Sequence, residues 1–224
     1  MEFVVLEFEE KVEEINEYFS FIKRTTHLRL NSSDETIQVS ETVHQILKSN
    51  LFLLLYNLVE SSFKNALENI CISITNDDEL KYQKVIPKIK EIWINKEYKK
   101  FGEKCILPRD TEKSTFLINK IDTIAQEIIK LNFTNTLSGN VTPPIIKESI
   151  NEYGLETHDV RNPSSLFIIK NKRNNLAHGN ETFSQCGRAY SIVTLEEIKN
   201  ESINYMRFIL EHIKDFIDEK KYKI

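Results

Sequence analysis

The chain has 224 residues, with 30 Lys and Arg against 34 Asp and Glu, for a net charge of −4. That length gives one fairly large domain enough interior to fold without disulfides or metal. The acidic balance excludes a global basic field for nucleic acid, so any such site must be a local patch.

Only five glycines and five prolines are present, which favours long helices over a many-stranded β fold. Residues 7 to 28 put Phe8, Val12, Ile15, Phe19 and Ile22 at spacings of three and four, the pattern of an amphipathic helix with an acidic first turn. NSSDETIQVS breaks it and offers N-caps for the next element. A second helix is predicted from roughly 40 to 75, apolar on most sides through Leu47, Leu51, Leu54, Leu55, Leu58, Val59 and Phe63, and so central to a bundle. Glu60 and Asn57 lie beside this stripe, facing a polar groove, satisfying each other or acting directly.

From 79 to 108 the pattern weakens; Pro87 interrupts, and WINKEYKKFGEKCILP reads as a helix end with a loop. Helical spacing returns over 114 to 133. LSGNVTPPIIKESINEYGL follows, the turn-rich stretch of the chain, predicted as a short helix over about 143 to 153 with Gly154 as its C-cap. A helix over 164 to 178 is opened by Pro163 and stopped by Gly179. After a loop containing Gly187 and Tyr190, Thr194 and Glu197 form a capping-box pattern ahead of a last helix, whose apolar side carries Ile198, Ile203, Met206, Ile209, Leu210, Ile213 and Phe216. EKKYKI reads as a frayed tail. The expected architecture is one all-α bundle over 1–224, with about 79–155 a candidate insertion.

Cys71, Cys105 and Cys186 are far apart with no CxxC spacing, so neither a disulfide framework nor a zinc site is suggested. The remaining histidines (His27, His44, His158 and His212) have no mutual ligand spacing and read as surface or packing residues. The N-terminus turns acidic at once, unlike a secretory signal, and LFLLLYNLV is far too short to span a bilayer. The expected compartment is the cytoplasm, with no membrane association and no cofactor.

The residues with chemical promise lie in KNKRNNLAHGNE, residues 170 to 181. On a helix Arg173 and His178 stand about 140° apart around the axis and about 7.5 Å apart along it, so they do not share a face. Asn174 and His178 do. Gly179 places His178 near the helix C-terminus, where the dipole favours a protonated imidazole. Arginine grips phosphate with a planar fork, and histidine shuttles a proton near neutrality. On RNA the natural reaction is attack of the ribose 2′-hydroxyl on the adjoining phosphate. No carboxylate cluster suggests a metal, so the expected cleavage is metal-independent, leaving a cyclic phosphate and a 5′-hydroxyl. Equally, KNKRNN is an ordinary solvated basic face, and a histidine before glycine is a routine helix end. Lys170 and Lys172 either extend a phosphate-binding patch or belong to that face. Arg188 and Tyr190 read as structural, and Trp93 as core.

RNNLAHG resembles the signature of the HEPN superfamily, an arginine followed after four to six residues by histidine, often with asparagine next to the arginine. SNLFLLLYNLVESSFKNALENI (49 to 70), LSGNVTPPIIKESINEYGL (137 to 155) and LFIIKNKRNNLAHGNETFSQCGR (166 to 188) resemble its bacterial MAE-type branch, in the same order. TPP at 142 to 144 departs from the more charged segment expected there. The resemblance implies a HEPN-like antiparallel helical bundle that dimerises and brings two motifs to one cleft. It implies an endoribonuclease acting on RNA in a toxin–antitoxin or anti-phage setting, with an antitoxin or defence partner. Arg173 and His178 are then catalytic, with Asn174 supporting. The superfamily also contains non-catalytic modules that bind nucleotide, nucleic acid or protein, and a subunit that mainly offers an interface is a third reading.

Overall fold

The structure is a computed structural model describing residues 1–25, 29–31, 36–102, 113–134, 137 and 139–224. Cys105, His27 and the 103–108 loop lie outside these residues. Helix α1 (Glu2–Thr25) is followed by a two-stranded antiparallel ribbon, β1 (Arg29–Asn31) on β2 (Thr36–Gln38). Then come α2 (Glu41–Thr75), α3 (Pro87–Gly102), α4 (Lys113–Gln126), α5 (Pro143–Glu152), α6 (Ser164–Ala177), α7 (Phe183–Arg188) and α8 (Ile192–Asp218). The all-α bundle read from composition and periodicity is the observed architecture, with the ribbon as a small addition.

At 35 residues, α2 is about 52 Å long from its rise per residue. Ser40 caps it by accepting from the Val43 N–H. Leu51, Phe52, Leu55, Leu58, Val59, Phe63 and Ile70 are all buried, on more of the circumference than one stripe. The helix satisfies them by packing against α1, α6, α7 and α8 at once. The apolar positions expected on α1 and α8 are buried as well. Between those two helices, the Arg207 guanidinium forks onto the Glu9 carboxylate at 2.8 and 2.7 Å, and the buried Lys199 donates to Asn16 at 2.6 Å.

Five local expectations change, the first being the helix read over 114 to 133, which ends at Gln126. Pro87 opens α3 instead of interrupting a helix, because proline suits a first turn, where its missing N–H is no loss. The 183–188 stretch is a helix, not a loop: Thr182 and Gln185 form its capping box. There Gly187 lets α7 approach α2 so closely that an added Cβ would sit 1.9 Å from the Gln45 carbonyl oxygen. The last helix is capped by Ser191, whose hydroxyl accepts from the Thr194 N–H, so Thr194 is the third helical residue and not the cap. The C-terminus is not frayed. Tyr222 is buried, the Ile86 N–H donates to the Tyr222 carbonyl and the Ile224 N–H to the Lys84 carbonyl, each at 3.0 Å, and Asp77 pairs with Lys220 and Lys223.

The stretch between α2 and α6 joins the same core through Leu80, Val85, Ile89, Trp93, Ile129 and Leu131. Its return strap is tied to the end of α2, where the Thr75 hydroxyl donates to the Leu131 carbonyl and accepts from the Leu131 N–H. The 139–142 turn lies on the flank of α2.

Candidate active site

Helix α6 starts after Pro163 and ends at His178, whose backbone N–H donates to the Asn174 carbonyl at 3.0 Å. Gly179 follows at φ +71°, the left-handed geometry that stops a helix at little cost only with glycine. His178 is therefore the C-cap. Its imidazole is exposed and makes no hydrogen bond among the described residues.

Arg173 is differently placed. It turns inward, and its guanidinium carbon lies 4.3 Å from the centroid of the Tyr56 ring on α2. Nη1 donates to the Asn174 Oδ1 at 2.9 Å, and Nη2 stands 3.7 Å from the Glu60 Oε2, an ion pair too long to be a hydrogen bond. The rest of the fork keeps its donors.

Glu60 does more than balance charge. Its Oε1 accepts from the Gly139 N–H at 2.8 Å, and the Tyr56 hydroxyl accepts from the Val141 N–H at 3.3 Å. Burial, assisted by the Glu60 charge, pushes the Tyr56 phenol above its ordinary value, so the ring stays neutral. Gly139, at φ +73°, comes so near that a Cβ there would meet the Arg173 Nη1 at 3.4 Å. Three separate segments (α2, the 139–142 turn and α6) thus meet at one guanidinium. They are the three stretches that carried the resemblance.

KNKRNN is not a uniformly solvated face. Lys172 bonds both Glu181 oxygens at 2.9 Å and stands 5.5 Å from the Tyr190 ring centroid. Burial, the largest single influence, opposes its charge, but the Glu181 hydrogen bond together with the Tyr190, Glu181 and Cys186 charges outweighs this and holds the ammonium above its usual value. This clamp folds the Gly179–Thr182 segment back along α6 and so fixes the exit from His178. Lys170 is half-buried and forms no ion pair among the described residues. Tyr190 packs edge-on against Phe52, with ring centroids 4.9 Å apart, a structural role as expected.

Arg173 and Asn174 are brought together; Arg173 and His178 are not, the first facing α2 and the second facing solvent. The sequence pointed to Glu60 only as a residue beside a polar groove with Asn57, and it missed Tyr56 and Gly139. Tyr56 and Glu60 are one turn apart on α2, but Tyr56 reads as one more apolar position in a long stripe. Among the described residues, no group of His, Cys, Asp or Glu could hold a metal ion, and no helix is long and apolar enough to cross a membrane. In comparisons with known proteins, the family described as HEPN_MAE_28990-like HEPN matches residues 5–222. No curated protein and no solved structure matches the chain.

Proposed function

Because the chain belongs to the HEPN_MAE_28990-like HEPN family, a family of nuclease-like or nucleotide-binding helical modules, we propose that it is an endoribonuclease. Arg173 holds the scissile phosphate, Asn174 orients Arg173, and His178 moves the proton. The observation that carries this reading is the contrast at the end of α6. The guanidinium is stacked and braced with donors to spare, while the imidazole one turn on is exposed and unbonded among the described residues.

In the reaction, His178 takes the proton of the ribose 2′-hydroxyl, and the 2′-oxygen bonds to phosphorus. The bond from phosphorus to the 5′-oxygen then breaks, and that oxygen takes up a proton. The products are a 2′,3′-cyclic phosphate and a 5′-hydroxyl. Proton transfer and an anion clamp are both supplied by side chains, so the scheme calls for no metal. Since Arg173 and His178 diverge, a second copy completes the site: His178 of the partner subunit protonates the leaving oxygen across a shared cleft. The doubled positive charge there offsets the net charge of −4. The setting we propose is cytoplasmic toxin–antitoxin or anti-phage defence, with Lys170 as an added phosphate contact.

The test is cleavage of a mixed RNA pool in EDTA by wild type, Arg173→Ala and His178→Ala, with circular dichroism to confirm folding. The expected result is cleavage by wild type alone. RNA that is bound equally by all three proteins and cut by none would assign the chain to the non-catalytic binders.

A further inference from the structure

A groove of about 640 Å³ opens beside the Arg173 site, between α1 and α2. Glu60, which pairs with the guanidinium, and Gly139, whose N–H is bonded to Glu60, both line it, and Lys64 lies one turn farther along α2. Leu54 lines it with exposed apolar surface over the buried Ile15 and Leu58, and Asn57 lines it from α2 as well. The Asn57 amide is exposed and has no hydrogen-bond partner among the described residues.

The charges decide what such a groove can hold. Lys11 and Lys64 are balanced by Glu14 and Glu60. Lys11 is already engaged by Glu7 at 2.6 Å and by the Ser61 hydroxyl at 3.0 Å, and Glu60 by the Gly139 N–H. A run of phosphates finds no net positive field in this setting. A flat, uncharged ring with donors and acceptors on its edge fits well: the exposed Leu54 side chain takes one of its faces, and a free amide offers one donor group and one acceptor. The volume lies within the range of small-ligand sites.

We propose that this groove is a nucleobase subsite. It takes the unstacked base of a nucleotide flanking the phosphate on Arg173, with Leu54 as wall and Asn57 reading the base edge. The assignment rests on the nuclease reading of Arg173 and His178 and adds a source of sequence preference to it. Single-stranded RNA is the form it accepts, because a paired base cannot leave its stack to enter.

Two measurements test it together. In the first, cleavage sites in a mixed RNA pool are mapped for wild type, Asn57→Ala and Leu54→Glu. The preference for one base at a fixed position next to the cut should fall on the order of tenfold in both variants. In the second, the His178→Ala protein is crosslinked to RNAs carrying a single 4-thiouridine on either side of the cleavage position. One position should crosslink within residues 54–64. Wild-type cleavage with unchanged preference in both variants, and crosslinks only elsewhere, would overturn the subsite and leave the nuclease reading standing. Crosslinks to α2 without cleavage by wild type would keep the subsite and overturn the nuclease reading. RNA neither cut nor crosslinked would overturn both.

Discussion

The Arg173 guanidinium lies on the face of the Tyr56 ring, 4.3 Å from its centroid. A planar cation stacked in this way is held in orientation as well as in place, which lysine cannot reproduce. Arg173→Lys should therefore lower the single-turnover cleavage rate about 100-fold or more, although the charge is kept. Tyr56→Phe, which keeps the ring, should cost much less than Tyr56→Leu. Equal losses in the two Tyr56 variants would show that stacking does not orient the arginine.

Glu60 joins the 139–142 turn to Arg173, and its two roles separate by substitution. Glu60→Gln keeps an oxygen for the Gly139 N–H, whereas Glu60→Ala leaves that donor without its partner and should destabilise by about 1–3 kcal/mol in denaturant titration. Glu60→Gln should be markedly less destabilising. Gly139→Ala forces a side chain onto a left-handed backbone beside Nη1 and should cost roughly 1–3 kcal/mol.

Docking of α7 tolerates no side chain at Gly187, since a Cβ would overlap the Gln45 carbonyl. Gly187→Ala should destabilise by about 3 kcal/mol, the upper end for overpacking, or prevent folding. Thermal melting followed by circular dichroism reads this directly. A melting temperature equal to that of wild type would mean that α7 is held otherwise than described.

The C-terminal anchor is sensitive to pH. Hydrogen bonds from Lys223, joined by Lys220, hold the Asp77 carboxyl below its ordinary value of 3.8, outweighing partial burial. A carboxyl lowered by folding contributes stability above its unfolded pKa and loses it as pH falls through the folded value. Wild type should thus exceed Asp77→Asn in melting temperature at pH 6. The gap should narrow as pH drops below 3.8. A gap unchanged from pH 6 down to strong acid would remove Asp77 as the cause.

Long, strongly periodic elements were legible in the sequence, because spacing alone decides which face of a helix leaves water. Ile15, Phe19 and Ile22 on α1, and Met206, Ile209 and Ile213 on α8, are buried as their spacing required. The six residues of α7 are too few to display a period, and Gly187 resembles a loop residue until the approach of Gln45 is known. Tyr222 looked like part of a charged tail; its burial depends on Val85 and Ile86, distant in sequence and close in space. At the site, the resemblance of RNNLAHG and its flanking stretches singled out Arg173 and His178, and Glu60 was noted only as lying beside a polar groove. Tyr56 and Gly139 were not singled out, because only folding gathers three segments around one guanidinium.

The most direct test of the central claim, that Arg173 and His178 cleave RNA together, is the chemistry of the product ends. Wild-type protein with EDTA, a mixed RNA pool and end mapping should give 2′,3′-cyclic phosphate and 5′-hydroxyl termini, and Arg173→Ala and His178→Ala should give none above background. Cleavage by His178→Ala at the wild-type rate, or 5′-phosphate ends from wild type, would contradict the account.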